Sequence, residues 1–169
     1  CATETWDLLM PHVERLTAIK TDEYDPSLRG WVDDDRLGLD NGGESIRRGV
    51  VELLCESGKK MATDDPACFA RDTEGLRNSI SRVTQEILIT SYAALSPQFA
   101  DVAIQWLLAD TSRFRLGSGY VEPEWMLAVR LIESQSPHCS DGLFHQLESA
   151  IVQYHSPDEK RQAEYKLPR

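Results

Sequence analysis

The sequence has no apolar run close to the roughly 18 residues that a membrane-spanning helix needs, so an integral membrane protein is not expected. Its four cysteines form no C-x-x-C pair, and the simplest interpretation is reduced thiols in a cytoplasmic protein. A basic excess is also absent, because the formal net charge is −10. Nucleic acids and anionic membrane surfaces both attract basic faces, so neither is an expected partner.

The acidic residues are concentrated at the start of the chain, where residues 1–43 carry 10 acidic and 4 basic side chains. The chain begins at Cys1, and two interpretations follow. It is either a piece of a longer protein or a lipid-anchored envelope domain, whose mature N-terminus is also a cysteine. A lipid-anchored domain usually continues into a polar tether, whereas WDLLMPHVERLTAI follows almost at once. We therefore favour the excised piece.

The secondary-structure signals indicate a single all-α domain over residues 1–169. No stretch alternates polar and apolar residues for long, which argues against strands. Helix-start signals, in which a capping side chain precedes a proline or an acid, recur along the chain at Asp65-Pro66, Ser96-Pro97, Glu122-Pro123, Ser140-Asp141 and Ser156-Pro157. Together with the apolar spacing, they predict helices starting near 44, 72, 97, 123, 141 and 157, after a first helix that Pro11 interrupts or kinks.

Successive helices of this kind predict antiparallel helical hairpins. Ser96 and Ser140 are 44 residues apart, close to the ~40–47-residue period of HEAT-type units. An irregular α-solenoid and a compact helical bundle both fit this spacing. The apolar side chains expected to face inward recur about every 3.6 residues, and in the second half they are Phe99, Val102, Ala103, Trp106 and Leu107, then Trp125, Leu127, Ala128, Leu131 and Ile132, then Leu143, Phe144, Leu147, Ile151 and Tyr154.

The stretch GLDNGGES resembles a phosphate-binding loop, but Glu44 replaces the lysine that would contact the phosphates. A nucleotide site is therefore excluded. The same region partly fits a calcium-binding loop, with Asp33, Asp35, Asn41 and Glu44 as the oxygen ligands. Leu37 stands where that pattern needs an oxygen ligand, so an acidic surface loop leading into a helix is the favoured interpretation.

Other reactive side chains do not form a recognisable site in the sequence. His138, Cys139 and His145 are ligand types for zinc, but their spacing does not match a zinc knuckle, and neither a metal nor a cofactor is expected. Cys139 also fits a thiol nucleophile, although no third group to orient it is evident. The runs QEILIT and LIESQ each place a glutamate where a buried general base would be possible.

The run SRFRLGSGY is the most distinctive candidate for binding a partner. Arg113 and Arg115 flank Phe114, and Tyr120 follows two glycines, so the loop combines positive charge with aromatic surface. If the run binds, we predict that these residues contact an acidic protein partner or stack on a nucleobase. The structural alternative, which is the favoured interpretation, is a loop between helices whose Phe114 caps the core and whose arginines pair with acids.

The C-terminal half, in particular DTSRFRLG, EPEWMLAVRLIES and SPHCSDGLFHQLESAIVQYHSPDEK, resembles helical-repeat regions of very large bacterial proteins that carry a STAND-type ATPase. The resemblance implies a slice of an α-solenoid sensor arm, with neighbouring domains of the same chain as further contacts. The expected function is a non-enzymatic protein-interaction or scaffold module that binds in a groove between helix pairs. The main alternative is a small hydrolase or transferase with a buried carboxylate or cysteine site.

Overall fold

The computed structural model describes residues 2–18, 41–79, 81–116, 123 and 125–155, with side chains described outside 16–18 and 41–48. These residues form seven α-helices: α1 (Ala2–Ala18), α2 (Asn41–Asp64), α3 (Pro66–Asp72), α4 (Arg82–Tyr92), α5 (Ala100–Leu108), α6 (Met126–Gln135) and α7 (Asp141–Gln153). Short 3-10 turns lie at Glu74–Leu76, Pro97–Phe99, Thr111–Arg115 and Ser136–His138. The described part of the chain contains no strand, and the prediction of an all-α fold is confirmed.

The predicted starts near 44, 97, 123 and 141 correspond to α2, α5, α6 and α7, and the signal at Asp65-Pro66 begins α3. The carboxylate of Asp65 accepts a hydrogen bond from the Cys68 amide at 3.0 Å, and Pro66 begins α3. Ser96 precedes the turn Pro97–Phe99, which leads into α5. Ser140 precedes α7, and its amide donates to the Asp101 carboxylate of α5 at 2.7 Å. That bond ties the start of α7 to its neighbouring helix.

The predicted helix start near residue 72 is wrong. α3 ends at Asp72, the 3-10 turn Glu74–Leu76 follows, and the long helix begins only at Arg82. Its cap is Ser81, whose hydroxyl accepts a hydrogen bond from the Thr84 amide at 3.2 Å. The apolar spacing had extended the helix backwards because Leu76 continues the 3.6-residue period, although the turn that contains it is not α-helical.

Three further expectations need correction. Pro11 lies inside the unbroken helix α1, on its exposed side, so the helix does not restart there. Trp125 precedes α6 and is 52% exposed, whereas we expected it to face the core. The apolar spacing predicts that Phe144 and Ile151 face inward on α7, but both are exposed. The predicted start at Ser156 and the helix after it lie outside the described residues.

Helix α4 lies at the centre of the described structure. Nearly every one of its residues from Val83 to Tyr92 is buried, and it packs against α1, α2 and α6. A helix that is buried all round is enclosed by its neighbours, as in a compact bundle. The buried apolar side chains of the helices form one continuous cluster from Trp6 to Leu147. A repeat relation between the segments that start at 96 and 140 stays a prediction.

Helices α2 and α4 approach each other very closely at Gly58. A Cβ atom at this position would overlap the hydroxyl of Ser91 and would lie 2.8 Å from the Trp6 ring. A residue without a side chain is therefore needed where α1, α2 and α4 meet. On the other side of the bundle, α5 packs against both α6 and α7, and this contact positions the last described helix.

Candidate functional site

The segment predicted to bind a partner forms a short 3-10 turn, Thr111–Arg115, after α5. The Asp110 carboxylate begins the turn by accepting a hydrogen bond from the Ser112 amide at 2.9 Å. Arg113 is only 4% exposed and Phe114 only 6%, so both side chains lie inside the protein. Arg115 is half-buried, and Tyr120 lies outside the described residues.

The guanidinium of Arg113 joins three separate parts of the fold. Its Nε donates to the Gln85 side-chain oxygen of α4 at 3.0 Å, and its Nη2 donates to the Arg77 carbonyl at 2.7 Å. Its Nη1 donates to the Trp106 carbonyl of α5, and the group lies 4.3 Å from the centre of the Trp106 ring. The three acceptors are neutral, and burial lowers the pKa of this arginine.

The Arg77 carbonyl is the shared acceptor of this polar network. It also accepts a hydrogen bond from the Trp106 indole at 3.2 Å, while the Gln85 amide donates to the Ser79 carbonyl at 2.6 Å. These bonds hold the segment between the turn Glu74–Leu76 and α4 against α5. A rigid planar donor with several N–H groups suits such a junction, because it satisfies carbonyls that point from different directions.

Phe114 links the turn to α7. Its ring centre lies 5.3 Å from that of Tyr154, just after α7 ends. This geometry matches the structural alternative in one respect, because Phe114 completes the core. It differs in another, since Arg113 donates hydrogen bonds to three neutral oxygens, those of Gln85, Arg77 and Trp106. Neither Arg113 nor Phe114 is available on the surface, so the geometry does not support a partner contact through these two side chains.

The candidate metal ligands are not brought together among the described residues. No group of three His, Cys, Asp or Glu side chains in the described part of the chain is arranged to hold a metal ion. Asp33 and Asp35 of the predicted calcium loop lie outside the described residues, and Asn41 and Glu44 are described only as backbone of α2. The calcium loop as a whole therefore stays a prediction.

The three described thiols have the wrong electrostatic environment for a nucleophile. Burial raises the pKa of Cys55 to about 11, and burial also raises the pKa of Cys139. The pKa of Cys68 is raised chiefly by its hydrogen bond to the Asp72 carboxylate. A catalytic cysteine needs a lowered pKa, because the thiolate is the reactive form.

The two glutamates considered as general bases have different surroundings. Glu86, in the run QEILIT, is buried, and its carboxylate accepts a hydrogen bond from Arg82 Nε at 3.1 Å. Glu133, in the run LIESQ, is exposed. A carboxylate held by an arginine on the same helix face has a structural role that needs no substrate.

Exposed apolar side chains on α7 form the surface feature that the sequence assignment missed. Val152 is 80% exposed, Ile151 is 47% exposed and Phe144 is 37% exposed. Positions i, i+7 and i+8 fall on one side of a helix, so the three side chains form a stripe, called here the α7 stripe. Leu143 and Leu147 are buried, and the face that carries them packs against α5.

A sequence signal for the α7 stripe exists. The apolar positions of α7 cover more of the helix circumference than contact with one neighbouring helix can bury, so some had to remain outside. Single exposed leucines on other helices, Leu8 at 66% and Leu53 at 55%, are ordinary for a protein surface and have no comparable spacing.

Comparison of the chain with protein-family models, curated proteins and solved structures gave no match. None of the described helices is both long and apolar enough to cross a membrane.

Proposed function

We propose that this chain is a non-enzymatic protein-interaction module and that the α7 stripe is part of its contact surface. The single observation that carries the proposal is the exposure of Val152, Ile151 and Phe144 along one side of a helix. Clustered apolar surface is unfavourable in water, and it commonly marks a place where a protein contacts another molecule.

The surroundings of α7 favour a presenting surface. The opposite face of the helix is held by α5, by the bond from the Ser140 amide to Asp101, and by the contact between Phe114 and Tyr154. A helix fixed in this way keeps its exposed side chains in place, which lowers the entropy lost on binding. The turn that we expected to touch the partner thus contributes by positioning α7.

The alternative of a hydrolase or transferase has no supporting observation among the residues that the structure describes. The thiols that it would use have raised pKa values, and the buried Glu86 is paired with Arg82. The module is further proposed to belong to the sensor arm of a larger bacterial STAND-type protein, in the cytoplasm, on the basis of the resemblance in the C-terminal half. Reading the gene on both sides of this segment tests that part, because an upstream ATPase domain supports it and a signal peptide contradicts it.

The interaction proposal is tested with three forms of the chain immobilised in parallel and exposed to extract from the source organism. They are the wild type, the double variant Ile151→Gln/Val152→Gln, and the control Leu8→Gln. Glutamine favours helices at least as well as the residues it replaces, so circular dichroism should show unchanged folding. A protein retained by the wild type and by Leu8→Gln but lost from the double variant supports the proposal. Equal retention by all three forms contradicts it.

A further inference from the structure

The surface around the α7 stripe has an unusual charge distribution. Helices α5 and α7, which pack together, contain no lysine and no arginine. They carry three carboxylates, Asp101, Asp141 and Glu148. Of these, Glu148 is exposed and lies at i+4 from Phe144, so its carboxylate, which lies 3.1 Å from the Nδ1 atom of His145, borders the stripe.

The helix terminus adds to this negative potential. Ile151 and Val152 belong to the last turn of α7, where the unpaired carbonyl groups give a helix a partial negative charge. No basic side chain lies in that turn to offset it. The most exposed apolar residues of α7 therefore lie beside the partial negative charge of the helix C-terminus, which attracts cations.

Resting on the proposed function, we infer that the partner segment docked on the α7 stripe is a cationic amphipathic helix. Its apolar side chains would cover Phe144, Ile151 and Val152, and its lysines or arginines would lie over Glu148 and the C-terminal end of α7. An amphipathic helix laid along an apolar surface is a common mode of peptide recognition. Charge complementarity selects the partner because like charges brought together across an interface are unfavourable.

The same charges disfavour the other occupants. A second copy paired through α7 would bring together two copies of a helix that contains no lysine or arginine, and the whole chain has a net charge of −10. An anionic membrane would meet the same repulsion. An acidic peptide with an identical apolar face would make the same apolar contact, but its carboxylates would be repelled by Glu148 and by the C-terminus of α7.

The inference is tested with three synthetic peptides of about 18 residues, long enough to become helical on contact. The first is amphipathic and built of leucine and lysine, the second has glutamate in place of lysine, and the third is a scrambled form of the first. Binding to the full chain is measured by calorimetry at low and moderate salt. We expect binding of the first peptide alone, weakened by salt because partly exposed charges are screened.

Two variants assign the contact. Ile151→Gln/Val152→Gln should weaken binding of the leucine–lysine peptide about tenfold or more, since two apolar side chains lose their burial. Glu148→Gln should weaken it by about twofold to fivefold at low salt and have little effect at moderate salt. Leu8→Gln, on the exposed side of α1, should leave it unchanged.

Several results would overturn the inference. The inference is wrong if the scrambled or the acidic peptide binds as tightly as the first peptide. It is also wrong if the double variant binds the first peptide as tightly as the wild type does. The inference is likewise wrong if the wild-type chain sediments as a dimer and the double variant as a monomer, or if the first peptide binds only after residues 156–169 are removed. The last two results would identify a second copy or the chain's own end as the occupant. If the acidic peptide binds through Ile151 and Val152, the inference about a cationic partner is wrong, but the proposed interaction function stands. If the wild type and the double variant retain the same proteins from the extract, the interaction function itself is contradicted.

Discussion

Replacing Arg113 with alanine tests the interior network most directly. The substitution removes three hydrogen bonds from a charged donor, each worth about 1.5–3 kcal/mol, and a contact with the Trp106 ring worth about 1 kcal/mol. It also removes the unfavourable burial of a positive charge, which returns several kcal/mol. Because the acceptors lose their partner while remaining buried, we expect a net loss of about 3 kcal/mol in the free energy of unfolding.

The measurement is urea unfolding followed by far-ultraviolet circular dichroism and tryptophan fluorescence. Arg71→Ala is the matched control, since Arg71 is an exposed arginine paired with Asp72, and its free energy of unfolding should change little. Arg113→Lys keeps the charge but concentrates its donors on one nitrogen, so it should fall between the wild type and Arg113→Ala. A loss for Arg113→Ala no larger than that for Arg71→Ala would refute the role assigned to this residue.

Two further predictions concern helix α2. Gly58→Ala should lower the free energy of unfolding by about 1–3 kcal/mol, because the new methyl group collides with Ser91 and Trp6. Gly49→Ala, in the same helix with open space around it, should instead raise stability by up to about 1 kcal/mol. Burial raises the pKa of Cys55 from 9.0 to about 11, so the unfolded chain releases this proton first as pH rises. Stability should therefore decrease by about 2–3 kcal/mol between pH 9 and 11, relative to a Cys55→Ala variant measured in parallel.

Each of these has a clear contrary result. Equal effects of the two glycine substitutions would show that the close approach of α2 and α4 does not constrain the helix. Parallel pH profiles for the wild type and Cys55→Ala would show that the thiol titrates alike in the folded and unfolded chain. Thermal unfolding of the wild type, the two glycine variants and Cys55→Ala at several pH values gives the stabilities that both comparisons need.

Several elements could be predicted from local sequence because their causes are local. Asp65 caps α3 through a hydrogen bond to an amide three residues away. Ser140 and Asp141 mark the start of α7 in the sequence, although the side-chain bond made there is the one from the Ser140 amide to Asp101 of α5. The start of α4 could not be placed, since Leu76 continues the apolar period while Ser81 is the residue that caps the helix. Apolar spacing identifies a face that can be buried, and the actual boundary depends on the turn that precedes it.

The candidate site shows the same limit. The run around Phe114 combines charge and aromatic surface, and sequence alone does not distinguish an exposed loop of this composition from a buried one. The contacts with Gln85, Arg77 and Trp106 come from parts of the chain that are distant in sequence. Likewise, Phe144 and Ile151 fit the inward stripe of α7 by spacing, but the packing of α5 against α7 leaves both side chains exposed.

The sequence by itself determined the all-α class, the absence of strands from the described region, and the helix starts whose caps lie within three residues, because backbone hydrogen bonding and apolar periodicity are short-range properties. The tertiary structure decided which apolar side chains are buried, where the arginine charge is satisfied, and which face of α7 remains exposed. Those outcomes depend on how many neighbours each helix has, and packing between distant segments determines that number.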